Sequence, residues 1–500
     1  MNKNEILEKC EYYQEQFKAY SYILQTFSYD RSTIAPMSSS KEASDAEAIV
    51  ESHIFELTHT DEYKAYVLEA FKKKDQFDKY HKRLFELQYK EMVENDSISK
   101  ELSEKLNKTL SECFSDWMKY KEKKDYKLVE PSFKKTVDVL REYVKAKNPN
   151  AKHPYDVLLN DNEPGETEEV LDEFFNKLKE RIIPLLKKIQ ASNNQPDSRF
   201  FNRMISDKKQ VKIALSLLKF NGFRIEDGVY GTIEHPCTYF LSEHDTRVTT
   251  HYREDWSSSI YSIIHEGGHG IYHQNLDKKC YEVGINERQS SAEQETISRF
   301  YENIIGRNKT YVSHLYKLVK KCFGSKVSDI SEEDLYKAAN KVQASLIRTE
   351  SDELTYSIHI LIRYELEKGL IDGYIETKDL NKKWNELYKE YLGVEPNDDE
   401  EGILQDMHWF GGLFGYFPSY ALGNAYGAQI LSQMKKEIDY DSILEKGQMK
   451  KILLWFKKRV FTSGTLLDPE DWIKSITGER LNADYFLDYL EDKYTRIYNI

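Results

Sequence analysis

The 500-residue chain carries 72 Lys and Arg against 85 Asp and Glu, a formal net charge of −13, with 40% hydrophobic and 31% charged residues. This is the composition of a folded protein rather than a disordered one, and the acidic excess repels a phosphate backbone, which argues against nucleic acid as a partner. No stretch reaches the roughly 18 uninterrupted apolar residues of a membrane span. The opening MNKNEILEKCEYYQEQF is charged where a secretory signal is apolar, and the five cysteines are scattered without a CxxC pair. The expectation is a cytoplasmic protein with reduced thiols and no membrane partner.

Only 11 prolines and 22 glycines interrupt the chain, so long helices meet few breakers and the fold class expected is all-α, mainly helical, with a small β element. Residues 4–123 show helical spacing of apolar positions, as at Phe85, Tyr89 and Met92, and predict a helical N-terminal subdomain over about 1–145. Residues 147–166, KNPNAKHPYDVLLNDNEPGE, cluster Pro, Asn, Asp and Gly and read as a surface loop. Where DGVYGTIEHPCTYF gives way to RVTTHY, turn residues flank β-branched and aromatic ones, which predicts short strands. From residue 254 the pattern is helical to the C-terminus, apart from a glycine-rich stretch at 411–427. The whole chain reads as one domain with a core of function over about 230–430.

That core contains DWSSSIYSIIHEGGHGIYHQN. His265 and His269 stand four residues apart, so on a helix both imidazoles project from one face and can meet one ion. Glu266 between them can reach a water on that ion as general base, the arrangement of the zincin hydrolases. A bare HExxH also arises by chance on exposed helices, but Ile260, Ile263 and Ile264 lead into it and mark a buried helix. Gly267, Gly268 and Gly270 each cost about 1 kcal/mol of helix propensity against Ala. Either a second backbone or a substrate comes close there, and the glycines alone do not separate the two.

A catalytic zinc normally takes three protein ligands and leaves one position for water. Six residues beyond His269 stands Asn275, so a third histidine at metzincin spacing is absent, and His273 one turn on reads as a packed or supporting residue. Downstream, SSAEQETISRFYENIIG opens with a Ser290/Glu293 capping box and continues with Ile297, Phe300, Tyr301 and Ile304 at helical spacing. Glu295, Glu293 and the loop residue Glu287 are the candidates for a glutamate ligand, with Glu295 slightly ahead by spacing.

Several motifs in order resemble the carboxypeptidase Taq family of metallocarboxypeptidases. The family's HPF stands here as His235, Pro236, Cys237; its DxRxT as Asp245, Arg247, Thr249; its HExxH as His265, Glu266, His269; and its GxxQDxHW as Gly402, Gln405, Asp406, His408, Trp409. Residues 345–367 resemble the family's arginine-bearing helix and 414–424 the segment after the HW pair. The family's HESQSR is altered to QETISR, in which Glu295 is retained as the ligand, and Cys237 replaces Phe.

The resemblance implies a gluzincin-type peptidase fold with a deep central cleft, one divalent ion per subunit (zinc, with cobalt or manganese as the other occupants), peptide substrates with a free C-terminus, and a homodimer. It points to Arg348 as the fork for the substrate carboxylate. Read without it, Arg348 is a salt-bridge partner of Glu350, Asp352 or Glu353. His408, Tyr420 and Tyr416 are the candidate donors to the oxyanion, and His235 and Arg247 are assigned to pocket structure or substrate contact. The expected activity is release of single C-terminal amino acids. The rival readings are a thimet-type oligoendopeptidase and a catalytically silent peptide-binding homologue.

Overall fold

The structure, a computed structural model, describes residues 1–500, the side chain of Met37 excepted. The chain opens with α1 (Lys3–Thr33), α2 (Ser40–Thr58), α3 (Asp61–Lys72) and α4 (Lys79–Asp96). Side chains set their starts: Asn2 and Glu5 form a capping box on α1, and Asp78 accepts the N–H groups of Tyr80 and His81 on α4. Helices α1, α3 and α4 share a small core of their own, in which Ile6, Tyr13, Tyr66, Leu84 and Phe85 meet Cys280, Val283 and Ile285. Helix α2 lies on α1.

Next come α5 (Lys100–Tyr120), α6 (Glu130–Lys147), α7 (Tyr155–Asn162), α8 (Glu168–Ala191) and α9 (Asp207–Asn221). Helix α7 corrects the loop expected at 147–166: Tyr155, Leu158 and Leu159 are buried in the main core, and that burial outweighs the turn chemistry on either side. The predicted β element is a three-stranded sheet of β1 (Gly228–Thr232), β2 (Thr238–Ser242) and β3 (Asp245–Thr250). Strand β3 is central, parallel to β1 and antiparallel to β2, with Arg247 opposite both Val229 and Tyr239.

The remainder is α10 (Trp256–His273), α11 (Lys278–Val283), α12 (Ser291–Arg299), a π-helical turn (Phe300–Ile305), α13 (Lys309–Phe323), α14 (Glu332–Ala339), α15 (Glu353–Asp372) and α16 (Leu380–Tyr391). These are followed by α17 (Pro418–Glu437), α18 (Tyr440–Glu445), α19 (Met449–Phe456), α20 (Pro469–Thr477) and α21 (Asp484–Tyr498). Only the first part of the glycine-rich stretch 411–427 is irregular. Pro418 starts α17, which runs through Gly423 and Gly427 because both abut other helices. Among the described residues no helix is long and apolar enough to cross a membrane.

The centre of the molecule is a close stack of α10, α12 and α17. A Cβ on Gly268 of α10 would lie 2.7 Å from the Ser298 Cα of α12, and one on Gly423 of α17 would lie 2.8 Å from the Glu295 Cβ on the same helix. Gly267 and Gly270 face Leu218 and Phe223 in the same way. The glycine cluster of α10 therefore serves close packing, against backbone at Gly268 and against side chains at Gly267 and Gly270. Helix α12 is itself anchored at its start by the predicted capping box and by Glu163 Oε1, which accepts the Ala292 N–H at 2.7 Å.

Because the atoms facing Gly268 and Gly423 belong to backbone or its first carbon, neither can swing away. We expect Gly268→Ala and Gly423→Ala each to lower stability by about 1–3 kcal/mol despite Ala's better helix propensity. Gly411→Ala, whose Cβ would meet only Phe114 at 3.8 Å, is expected to change it by less than about 0.5 kcal/mol. Thermal or urea unfolding of the three variants checks this.

Candidate active site

Helix α10 begins at an Asp255 cap, and its third and fourth turns present His265 and His269 on one side, with ring centroids 5.0 Å apart. Because α12 crosses at glycine distance, Glu295 faces them: Glu295 Oε2 lies 3.8 Å from His265 Nε2, and Oε1 lies 3.7 Å from His269 Nε2. One ligand atom from each of the three lies within 4.8 Å of the others. Tetrahedral ligands at ordinary zinc bond lengths stand roughly 3.4 Å apart, so two imidazoles and a carboxylate are set at the spacing a divalent ion needs. Their side chains keep 11–16% of their surface exposed, which leaves the group reachable by solvent.

Glu266 is buried beside this trio, and strand β2 orients it. The Thr238 hydroxyl donates to Glu266 Oε2 at 2.7 Å and lies 3.0 Å from the Glu266 carbonyl. Thr238 follows Cys237, whose thiol is pushed up to about 12 by burial and by the Glu266 charge, so it stays protonated and unreactive at neutral pH.

A second layer of charge stands behind the trio. His265 Nδ1 is 3.0 Å from Glu302 Oε2, which leaves Nε2 for an ion. Glu302 sits in the π-helical turn and is itself held by Arg299 Nη1 at 3.4 Å and Arg307 Nη2 at 3.3 Å. Burial alone would raise its carboxyl, but the hydrogen bond with His265 and the two guanidinium charges hold it well below the usual range. Glu295 is similar: burial opposes the charge, yet His269, His265 and Arg299 bring it down to about 2. Burial would lower His265, but Glu302 and Glu295 outweigh it and raise it. The carboxylates of the group attract positive charge.

In the altered QETISR segment, Thr296 turns its hydroxyl to the Ala292 carbonyl and Ile297 is in the core. The retained Ser298 and Arg299 contact Glu295 Oε2, both at 3.4 Å. The rival glutamates are elsewhere: Glu293 is spent in the capping box, and Glu287 lies near Ser21. His273 is a packed residue, stacked on Phe240 at 4.5 Å and lowered to about 3 by burial.

Arg348 is 6% exposed and pairs with none of its near neighbours in sequence. Asp406 takes its Nε and Nη2 (3.2 and 2.8 Å), and the Tyr356 hydroxyl accepts from Nη1 at 3.0 Å. Asp406 also binds Arg363, at 2.5 Å, and two guanidinium groups hold its carboxyl far below the usual range against the opposing effect of burial. Asp352 instead caps α15, and Glu353 pairs with Lys493.

His408 stacks on Tyr416 and lies against Phe417. Burial lowers it to about 4, so it is neutral at pH 7. Tyr416, pushed up to about 12 by burial, and Tyr420, pushed well above the ordinary phenol value, both keep their protons. Tyr420 lies under Arg348 at 5.3 Å and packs edge-on against Tyr356 and Tyr416. Arg247 is engaged by Asp245 at 2.7 Å and stacks on Tyr29, and His235 lies exposed on the connection between β1 and β2.

Sequence reasoning gave no role to Glu302, Thr238, Arg299, Tyr356 or Asp406. Asp406 had a signal, its place in a motif. Arg299 likewise closes the QETISR motif, whereas Glu302 and Thr238 had no signal, because their partners lie 37 and 28 residues away on another element.

With this geometry in hand, comparison with known proteins gives a consistent answer. The model of the carboxypeptidase Taq (M32) metallopeptidase family matches residues 9–494. Carboxypeptidase 1 of Bacillus subtilis is 37% identical over 481 residues, 96% of each chain. Solved structures of an M32 carboxypeptidase from Deinococcus radiodurans R1 and of a carboxypeptidase from Pyrococcus furiosus resemble it with TM-scores of 0.95 and 0.93 at 25% and 28% identity, covering 99% of this chain and 100% and 99% of theirs. The chain belongs to the carboxypeptidase Taq (M32) metallopeptidases and is a metal-dependent carboxypeptidase acting on peptides.

Proposed function

We propose that His265, His269 and Glu295 hold the divalent ion, that the ion is zinc, and that the enzyme removes single amino acids from free peptide C-termini. The observation that carries this reading is the convergence of the three ligand atoms within 4.8 Å beside a buried, oriented Glu266. Imidazole and carboxylate donors also accept cobalt and manganese, so elemental analysis of the purified protein tests the choice of zinc. A homodimer comes from the family resemblance, and five free thiols fit a reducing cytoplasm.

When bound, the ion supplies Lewis acidity toward water and the scissile carbonyl. Glu266 takes the proton of the attacking water and delivers it to the leaving amine, while Thr238 keeps its carboxylate in place. Neutral His408 and the protonated hydroxyls of Tyr420 and Tyr416 supply hydrogen bonds to the developing oxyanion. Arg348 fixes the register. A guanidinium has five N–H groups; Asp406 and Tyr356 use three, and the two left, one on Nη1 and one on Nη2, form the end-on fork that fits a carboxylate. His235 and Arg247 line the approach, Arg247 held by Asp245 on the same central strand.

Three measurements test these roles. Glu266→Gln is expected to lose about 100- to 10,000-fold in kcat with metal content unchanged; equal inertness of the parent protein supports a silent homologue instead. Peptides with an amidated C-terminus are expected to be cleaved at least about tenfold less well than free ones, and Arg348→Lys to erase that preference. Undiminished cleavage of amidated peptides contradicts a carboxypeptidase and favours the endopeptidase reading. Glu302→Gln keeps shape but drops charge behind His265, and is expected to weaken metal binding about 10- to 100-fold in chelator competition.

A further inference from the structure

Two arginines flank the candidate site, and Tyr356 touches both at close range, with the Tyr420 ring facing them from farther off, 5.9 Å from Arg299 and 5.3 Å from Arg348. Arg299 contacts the carboxylates nearest the metal position, but loosely: its Nε is 3.4 Å from Glu295 Oε2 without forming a hydrogen bond, and its Nη1 is 3.4 Å from Glu302 Oε2. What fixes its plane is a ring, for the Arg299 guanidinium lies 4.1 Å above the face of Tyr356. Tyr356 is 5% exposed on the first turn of α15, and its hydroxyl accepts a hydrogen bond from Arg348 Nη1 at 3.0 Å. Arg348 is held on its other edge by Asp406. The tyrosine thus has two separable halves, a hydroxyl that aims one arginine and a ring that seats the other.

We propose that Tyr356 is a positioning residue that serves both halves of the reaction: its hydroxyl sets the angle of Arg348 toward the substrate carboxylate, and its ring holds Arg299 against Glu295 and Glu302 and so sets metal affinity. The first half rests on the proposed role of Arg348. The second rests on the proposed metal site of His265, His269 and Glu295 and on the contacts among Tyr356, Arg299 and the two glutamates. Without the ring, Arg299 has no strong hydrogen bond to hold it, and Glu295 and Glu302 lose a neighbour that keeps them oriented. Without the hydroxyl alone, Arg299 stays seated while Nη1 of Arg348 loses the acceptor that fixes it.

The test compares Tyr356→Phe, Tyr356→Leu and Arg299→Lys in the full chain. Zinc affinity is read by chelator competition and KM with a free-C-terminus peptide, and unfolding curves show that each variant folds. Tyr356→Phe is expected to raise KM about tenfold with zinc affinity within about twofold of the parent. Tyr356→Leu is expected to raise KM equally and to weaken zinc binding about tenfold or more, and Arg299→Lys to weaken zinc binding with KM little changed. Equal zinc affinity in the Phe and Leu variants overturns the ring's role. Unchanged KM in Tyr356→Phe overturns the hydroxyl's role; if Arg348→Lys also leaves KM unchanged, the failure lies with Arg348 rather than with Tyr356.

Discussion

The approach of three helices at glycine distance is the constraint on which the rest of the molecule depends. Two residues of the proposed metal site come from α10 and the third from α12, and carboxylate and imidazole can share an ion only if the two axes run closer than ordinary side chains permit. Gly268 removes the obstacle on one side of α12 and Gly423 on the other. The cost of glycine in a helix, about 1 kcal/mol each, is offset by dense backbone contact. The π-helical turn that continues α12 carries Glu302 behind His265.

Around this stack the protein buries an unusual amount of charge. Glu302 lies between Arg299 and Arg307, and Asp406 between Arg348 and Arg363. Removing such ions from water costs several kcal/mol apiece, and pairing roughly returns it; the net gain in stability is small. What the pairs supply is position. A carboxylate gripped by two guanidinium groups has little freedom, so its own neighbours, the His265 imidazole in one case and Arg348 in the other, are aimed in turn. Removing one member leaves a buried charge unpaired, a loss of about 3–5 kcal/mol, which makes these networks intolerant of single changes.

The small sheet has a similar role on the other side. Three short strands form no core of their own, but β2 carries Thr238 to Glu266, and β3 packs on α10. An antiparallel edge strand is a rigid platform from which one hydroxyl can be aimed, more exact than a loop would be. The substitution of Cys for Phe at 237 lies next to that hydroxyl, and its thiol faces the Glu266 charge.

Local chemistry was readable directly from the residues. The four-residue spacing on one helix face, the Ser290/Glu293 capping box, the strand run around residues 238–250 and the predominance of helix all depend on neighbours within a few positions, and each has its counterpart in the structure. Turn-rich composition misled at 147–166 and 411–427, where buried apolar faces and close packing make helices of segments that read as loops. Whether the glycines of α10 meet a substrate or a backbone, which acidic residue pairs with Arg348, and what stands behind His265 were decided only by the tertiary structure. Those contacts join residues 30 to 58 positions apart, and no periodicity within a segment encodes which distant surface it will meet, since that is settled by how whole helices bury their faces together.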